Sequence, residues 1–96
     1  MLKEEIIKEA SKIIREYLGE EYKVLLFGSW AKGDALETSD IDIGILGKNT
    51  VPFQTMVQIK ERIEKIPTLR GIDIVDLKSV GEEFRRGVLE YAKVLS

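Results

Sequence analysis

The sequence predicts an α/β (α+β) fold, in which a small β-sheet of three or more strands is flanked by helices. Long segments with apolar residues at helical spacing alternate with short apolar runs that are typical of strands. Glycine and proline mark the junctions between these segments. The 96 residues are predicted to form one domain (1–96), and an apolar fraction of 44% is enough for a modest core.

The first element is predicted to be an amphipathic helix from Leu2 to Leu18. Lysine and glutamate fill one face, and the apolar face consists of Ile6, Ile7, Ala10, Ile13, Ile14, Tyr17 and Leu18. We interpret the charged face as solvated surface, with a partner-binding face as the alternative. Gly19 ends this helix, and Tyr22 to Phe27 is predicted to be the first strand.

A Gly-Ser pair, Gly28 and Ser29, directly follows the first strand. The carboxyl end of a strand is a common ligand site in open α/β sheets. Gly28 allows a phosphate to approach the backbone, and Ser29 offers a hydroxyl beside the first N–H groups of a helical turn at Trp30–Lys32. The alternative is a plain strand-to-helix turn with Ser29 as N-cap. We interpret Trp30 as a packing residue rather than a base-stacking one.

Two aspartates, Asp40 and Asp42, begin the second apolar run after a polar loop at residues 33–39. Ile41, Ile43 and Ile45 alternate with them, which predicts a half-buried strand whose polar face carries both carboxylates. The two lie about 6.6 Å apart along such a strand. At that distance two negative charges repel by about 2.5 kcal/mol at an effective dielectric constant near 20. A divalent cation would replace this repulsion by coordination, so a magnesium site is predicted, with an exposed strand edge as the alternative.

A second amphipathic helix is predicted after the loop Gly47–Pro52. Asn49 or Thr50 is the candidate N-cap, and Pro67 ends the helix. Phe53 and Met56 are assigned to the core, on an apolar face made of Phe53, Met56, Val57, Ile59, Ile63 and Ile66.

The third strand is predicted at Leu69–Leu77 and contains Asp73 and Asp76. The two aspartates face opposite sides of the strand because their numbers differ by an odd number, so only one can join Asp40 and Asp42. An aspartate among isoleucines is costly to bury unless it is paired or metal-bound, which favours Asp73. Asp76 is interpreted as a turn or cap residue.

The last element is predicted to be a helix that runs almost to the end of the chain. Ser79–Glu82 has the form of a capping box, and the apolar face would consist of Phe84, Val88, Tyr91, Ala92 and Leu95.

Composition excludes several kinds of chemistry. The chain has no cysteine and no histidine, so disulfides, a cysteine- or histidine-ligated zinc site and a catalytic histidine are ruled out. A formal charge of -2 leaves no basic surplus for holding polymeric nucleic acid, which is not expected as a ligand. The first nine residues lack the apolar run of a signal peptide and no segment is apolar enough to span a membrane, so a cytoplasmic protein is expected.

The motif residues resemble those of a known enzyme superfamily. Gly28-Ser29, ten further residues and then Asp40-Ile41-Asp42 are similar to the signature of the polymerase-beta-like nucleotidyltransferases. The flanking segments Trp30–Asp34 and Ser39–Gly44 resemble most closely the minimal nucleotidyltransferases, or MNT proteins. The resemblance extends over nearly the whole chain and implies the polymerase-beta-like fold with a mixed sheet.

The resemblance also implies the site residues. The catalytic residues would be the ligands of two Mg²⁺ ions, namely Asp40, Asp42 and Asp73. Asp73 fits the family's third carboxylate because that residue stands between apolar residues on the neighbouring strand. The phosphates of ATP would be bound by Gly28, Ser29 and Lys32. Many relatives have arginine at the position of Lys32, which offers a point charge in place of a two-pronged contact.

The function implied by the resemblance is that of an antitoxin. MNT proteins are understood to transfer AMP from ATP to a tyrosine of a partner HEPN-domain toxin. Two alternatives stay open: a non-catalytic antitoxin that masks its partner by contact, and a nucleotidyltransferase that modifies a small molecule such as an antibiotic. The sequence also leaves a homo-oligomer open.

Overall fold

The computed structural model describes residues 2–36 and 38–96. Met1 and Glu37 lie outside these ranges, so the predicted loop at 33–39 is tested at residues 33–36 and 38–39 but not at Glu37. In chain order the elements are α1 (Lys3–Tyr17), β1 (Lys23–Phe27), α2 (Ser29–Lys32), β2 (Ile41–Leu46), α3 (Phe53–Glu64), β3 (Ile72–Asp76), α4 (Glu82–Leu89) and β4 (Lys93–Val94). The predicted α/β class is confirmed. None of the helices described is both long and apolar enough to cross a membrane.

The sheet is mixed, as expected, and its strand order is β3-β2-β1-β4. β1 runs antiparallel to both β2 and β4, whereas β2 and β3 are parallel. The carboxyl end of β1 therefore lies beside the amino ends of β2 and β3. This common edge carries the predicted motif residues.

The two faces of the sheet bury different residues. The main core lies between the sheet and the helices α1 and α3, and Ile41, Ile43 and Ile45 of β2 are all 0% exposed there. The opposite face, on the side of α4, holds a smaller cluster of Leu25, Phe27, Leu77 and Val88. Because side chains alternate along a strand, Asp42 lies on the α4 side of β2. The predicted alternation is confirmed.

The prediction of a last helix reaching the end of the chain is wrong. α4 ends at Leu89, and β4 then pairs with β1, so that Leu25 lies opposite Val94. The N–H of Leu95 donates to the carbonyl of Val24 at 2.7 Å, and the N–H of Val24 donates to the carbonyl of Ser96 at 2.9 Å. These bonds satisfy backbone groups on the outer edge of β1, which a continued helix would leave without strand partners.

Three local predictions at helix starts are also wrong. Phe53 is 77% exposed and does not lie in the core, whereas Met56 packs against the main core as predicted. Neither Asn49 nor Thr50 caps α3, whose N-cap is Pro52. The predicted capping box at Ser79–Glu82 does not form either.

Asp76 takes part in hydrogen bonds close to the starts of both α3 and α4. Its Oδ2 accepts the N–H of Val51 at 2.7 Å, which fixes the chain just before α3. The hydroxyl of Ser79 donates to the carbonyl of Asp76 at 2.9 Å instead of capping α4, which begins after Gly81. Because the Ser79 hydroxyl is engaged in this turn, it is not available to cap α4.

Candidate active site

The motif residues lie across three adjacent strands at one edge of the sheet. Phe27, the last residue of β1, lies opposite Asp42 of β2, and Asp42 lies opposite Asp73 of β3. Residues opposite each other on neighbouring strands share a face of the sheet. Gly28 and Ser29 follow Phe27 directly, so the Gly-Ser turn and these two carboxylates are brought together as predicted.

Gly28 has a backbone conformation that favours glycine, with φ +74° and ψ -159°. A β-carbon at this position would lie 2.1 Å from Oδ2 of Asp42, so a side chain there would displace the carboxylate. The carbonyl of Gly28 accepts the N–H groups of Ala31 and Lys32, both at 3.1 Å, which closes the single turn of α2. Gly28 is the N-cap of α2 and Ser29 its first residue, so the alternative of Ser29 as N-cap is wrong.

Asp42 is half-buried and interacts electrostatically with both other aspartates of the site. Burial raises the pKa of its carboxyl above the ordinary value, and the negative charges of Asp73 and then Asp40 raise that pKa further. The three predicted aspartates are therefore close enough to act on one another through their charges.

Asp40 and Asp73 are both exposed beside Asp42. Asp40 precedes β2, and its carboxylate lies against Gly71, where a β-carbon would be 2.6 Å from Oδ1 of Asp40. The expectation that Asp73 is buried among isoleucines is wrong, because Asp73 is the second residue of β3 and is exposed on the α4 side of the sheet. Its position opposite Asp42, rather than burial, is what places it in the site.

Asp76 lies outside the site, as predicted. In addition to the N–H of Val51, it accepts the N–H of Lys78 at 3.0 Å through Oδ1. Its position opposite Ile45 puts it on the main-core side of the sheet, away from Asp73. The interpretation of Asp76 as a turn residue is confirmed.

Lys32 contacts Tyr91, a residue that the sequence patterns did not indicate as part of the site. Its Nζ lies 4.7 Å from the ring centroid of Tyr91, at cation–π distance. The Tyr91 hydroxyl in turn accepts the N–H of Gly28 at 3.4 Å. Helical spacing predicts Tyr91 only as part of an apolar helix face. Its polar hydroxyl is the one sequence signal for contacts with Gly28 and Lys32.

Trp30 links the two halves of the site. Its ring packs against the main core, which confirms the packing interpretation. Its indole Nε1–H also donates to the carbonyl of Ser39 at 3.1 Å, and Ser39 immediately precedes Asp40. The sequence spacing contains no signal for this second contact.

The aspartates fit a magnesium site in donor chemistry. Carboxylate oxygens are hard ligands of the kind Mg²⁺ prefers, and a cation would relieve the repulsion that raises the pKa of Asp42. Within residues 2–36 and 38–96, however, no group of three or more carboxylates is close enough to form a ready-made metal site. An ion held by all three carboxylates would therefore require side-chain movement, which the exposure of Asp40 and Asp73 permits.

Comparison with known proteins agrees with this fold. The family model described as polymerase beta, nucleotidyltransferase matches residues 4–96. "Putative protein adenylyltransferase MJ1379" of Methanocaldococcus jannaschii is 35% identical over 89 residues, which cover 88% of each chain. A crystal structure of a toxin-antitoxin with AMP-PNP has a TM-score of 0.75 at 26% identity, covering 99% of this chain and 73% of that chain.

A second solved structure shows the same fold. It is the complex of a tri-AMPylated Shewanella oneidensis HEPN toxin with MNT antitoxin, with a TM-score of 0.73 at 21% identity over 99% of this chain and 72% of that chain. The family match spans almost the whole length of the chain, and the glycine, serine and aspartates of the motif lie together at one edge of the sheet. This chain belongs to the polymerase beta nucleotidyltransferase family.

Proposed function

We propose that this chain transfers AMP from ATP to a tyrosine hydroxyl of a HEPN-domain toxin and so acts as an antitoxin. The observation that carries the proposal is the strand register, which pairs Asp42 with Asp73 and with Phe27, the residue directly before Gly28. It brings a phosphate-binding turn and carboxylates to one place in a nucleotidyltransferase fold. The names of the protein adenylyltransferase relative and of the toxin-antitoxin complexes support AMP transfer to a toxin.

The phosphates of ATP would lie at the turn between β1 and α2. The glycine at position 28 lets an anion approach the backbone, and Ser29 contributes a hydroxyl at the start of α2. Lys32 follows Ser29 by one helical turn, and its ammonium lies over the ring of Tyr91, whose hydroxyl accepts the Gly28 N–H, so Lys32 would add positive charge near the turn. These groups suit the β- and γ-phosphates, which depart together as pyrophosphate.

The acceptor would be on the side of β3. In the transfer, the tyrosine oxygen forms a bond to the α-phosphorus and the bond from that phosphorus to the β-phosphate oxygen breaks. The hydroxyl proton passes to a carboxylate, for which the exposed Asp73 is suited. The carboxylate of Asp42, between Asp73 and the Gly-Ser turn, would hold the reacting phosphate through the metal site.

Asp40, Asp42 and Asp73 are the residues that would hold magnesium. Bound there, Mg²⁺ would neutralise charge on the phosphates and lower the pKa of the attacking hydroxyl. The chain's own contribution is to keep three carboxylates beside the Gly-Ser turn, at the cost of the repulsion felt by Asp42.

An acceptor carried by another protein fits the surroundings of Asp73. A groove between α3 and β3 opens next to it and is lined in part by Lys60, Glu64, Thr68 and Arg70. Asp73 itself is exposed on the α4 side of β3, an edge strand of the sheet, so a side chain projecting from a partner surface could reach it. Such access favours a macromolecular acceptor over a small molecule, which would need an enclosing wall.

The test is transfer of label from α-phosphate-labelled ATP to proteins of the source cell's extract, and then to the purified HEPN-domain protein if the labelled band matches it in mass. We expect a labelled toxin band with wild type and magnesium, and loss of the band with Asp42→Asn. Partner binding by pull-down should be unchanged in the variant, whereas protection of cells from the toxin should disappear. Equal protection by Asp42→Asn would mean that the chain only masks its partner, and label on a small molecule instead of the toxin would indicate a different acceptor.

A further inference from the structure

The indole of Trp30 joins the phosphate-binding half of the site to the carboxylate half. Trp30 is the second residue of α2, directly after Ser29. Its half-buried Nε1–H donates to the carbonyl of Ser39 at 3.1 Å. That carbonyl belongs to the peptide unit that leads into Asp40, so one hydrogen bond connects the start of α2 to the first carboxylate.

Two hydrogen bonds join Ser39 to Leu36. The N–H of Ser39 donates to the carbonyl of Leu36 at 2.9 Å, and its hydroxyl accepts the N–H of Leu36 at 2.8 Å. The carbonyl of Ser39 accepts the indole N–H of Trp30, and this bond connects the segment to α2.

The backbone on the other side of Asp40 is fixed by β3. The N–H of Ile41 donates to the carbonyl of Gly71 at 2.9 Å, and the Asp40 carboxylate lies against the same glycine. Asp40 therefore stands between two anchored peptide units, one held by the sheet and one held by Trp30. Without the bond from Trp30, the Asp40 backbone would be held only on the Ile41 side, and the Ser39 side would be free to move.

The indole ring is itself held in place, so its N–H direction is defined. Lys3 Nζ lies 4.4 Å from the ring centroid and Arg70 Cζ lies 5.3 Å from it. The ring also packs against the main core. Phenylalanine could supply both the packing and the cation–π contacts, but only tryptophan supplies the N–H.

We propose that Trp30 is a positioning residue for Asp40, acting through the Ser39 carbonyl to hold that carboxylate where it can bind a divalent cation. The inference rests on the proposed function, in that Asp40 is taken as a metal ligand. Partners that orient a metal ligand typically change metal affinity about 10- to 100-fold when removed. Trp30 acts one step further away, through the backbone, so we expect an effect near the lower end.

The test compares Trp30→Phe with Lys3→Met. Trp30→Phe removes the N–H and keeps an aromatic ring, whereas Lys3→Met removes one cation from the ring and keeps the N–H. The measurement is calorimetric binding of a non-hydrolysable ATP analogue, α,β-methylene ATP, across a magnesium titration, with a thermal melt of each variant. We expect the magnesium concentration for half-maximal binding to rise about tenfold in Trp30→Phe and to stay within about twofold in Lys3→Met.

A second measurement is made on wild type and therefore does not depend on how well Trp30→Phe folds. Trp30 is the single tryptophan of the chain, so fluorescence excited outside the tyrosine absorption band reports on this residue alone. Adding magnesium and the analogue to wild type should change that emission. The change should be lost in Asp40→Asn.

The outcomes separate this inference from the proposed function. An unchanged magnesium midpoint in a folded Trp30→Phe, or emission that ignores magnesium while the analogue binds, would overturn the positioning role. Magnesium-dependent binding with the expected Trp30→Phe shift, but no label transfer to the toxin by wild type, would keep the inference and reject the proposed function. If wild type bound the analogue with no dependence on magnesium, both would fail.

Discussion

A β-carbon on Gly28 would lie 2.1 Å from Oδ2 of Asp42. The first half of the motif is therefore in direct contact with the second, across the pairing of β1 with β2. The positive φ of Gly28 turns the chain into α2 at the point where the Asp42 carboxylate occupies the space of a side chain. The Gly-Ser turn and the Asp-x-Asp strand thus form one structural unit.

Gly28→Ala should abolish AMP transfer because the new methyl group would displace the Asp42 carboxylate. The backbone strain adds about 1–3 kcal/mol of destabilisation, since this region of φ and ψ is almost restricted to glycine. Gly33→Ala is the matched control. Gly33 also has a positive φ, +86°, but no described atom lies within 4 Å of its β-carbon position.

The comparison requires transfer rates and denaturant unfolding of both variants. We expect both to lose stability and only Gly28→Ala to lose at least about 100-fold in rate, a barrier increase of about 2.7 kcal/mol. Comparable rate losses in the two variants would show that strain in α2, rather than displacement of Asp42, is responsible.

Asp42→Asn should stabilise the protein while removing its activity. The pKa of Asp42 is raised in the folded state by burial and by the charges of Asp73 and Asp40. The folded state therefore holds the Asp42 proton more tightly than the unfolded chain does. The stability associated with protonated Asp42 is fully present below its unfolded pKa and is lost as the pH rises through the folded pKa.

At neutral pH the charged carboxylate thus opposes folding, and asparagine removes that opposition. Solvent screens a half-exposed group, so we expect the melting temperature to rise by no more than about 4 °C. The gain should shrink as the pH is lowered towards about 4, where an ordinary aspartate becomes protonated. A variant that melts below wild type at pH 7 would contradict this electrostatic account.

Asp73 and Asp76 offer a test of the two faces of β3. Asp73→Asn should abolish transfer and change the free energy of unfolding by no more than about 0.5 kcal/mol, because the side chain is exposed. Asp76→Ala should do the reverse. It leaves the N–H groups of Val51 and Lys78 without their carboxylate acceptor, at a cost of about 1–3 kcal/mol.

Urea unfolding and the transfer rate per folded molecule measure the two effects separately. Loss of transfer in a folded Asp76→Ala protein would mean that the carboxylate on the main-core side also serves the site. Full transfer by Asp73→Asn would remove the third carboxylate from the mechanism.

The positions of the motif residues in the sheet could be predicted from the sequence because their signals are local. The alternation of Ile41, Ile43 and Ile45 with the aspartates follows from the two-residue period of a strand, and this period alone places Asp42 opposite the core. The Gly-Ser turn was likewise predictable from the apolar run before it. Asp73 lies beside Asp42, as expected, but the argument from burial was wrong because Asp73 is exposed, and its role as a metal ligand stays a prediction.

Contacts between distant segments could not be predicted in this way. Tyr91 and Leu95 are four residues apart, which fits a helix face, yet the chain there forms β4 because β1 has an open edge to pair. Likewise, the bond from Trp30 to Ser39 depends on the path of the polar loop between them. Spacing contains no information on either contact.

Lys32 provides the last prediction, because its role depends on the nucleotide. Its Nζ lies 4.7 Å from the ring centroid of Tyr91, whose hydroxyl bonds to the Gly28 N–H at the proposed phosphate position. Lys32→Gln should raise the KM for ATP about fivefold, corresponding to about 1 kcal/mol for one exposed charge. The effect should weaken as salt is added, because salt screens exposed charges.

Lys48→Gln is the matched control, since Lys48 is an exposed lysine in the loop that follows β2. Steady-state transfer at low and high salt should show a KM change for Lys32→Gln alone, with kcat nearly constant. A fall in kcat at unchanged KM would instead assign Lys32 to the transition state, where charge on the departing pyrophosphate is greatest. The two variants have the same net charge, so any difference between them reflects the position of the lysine.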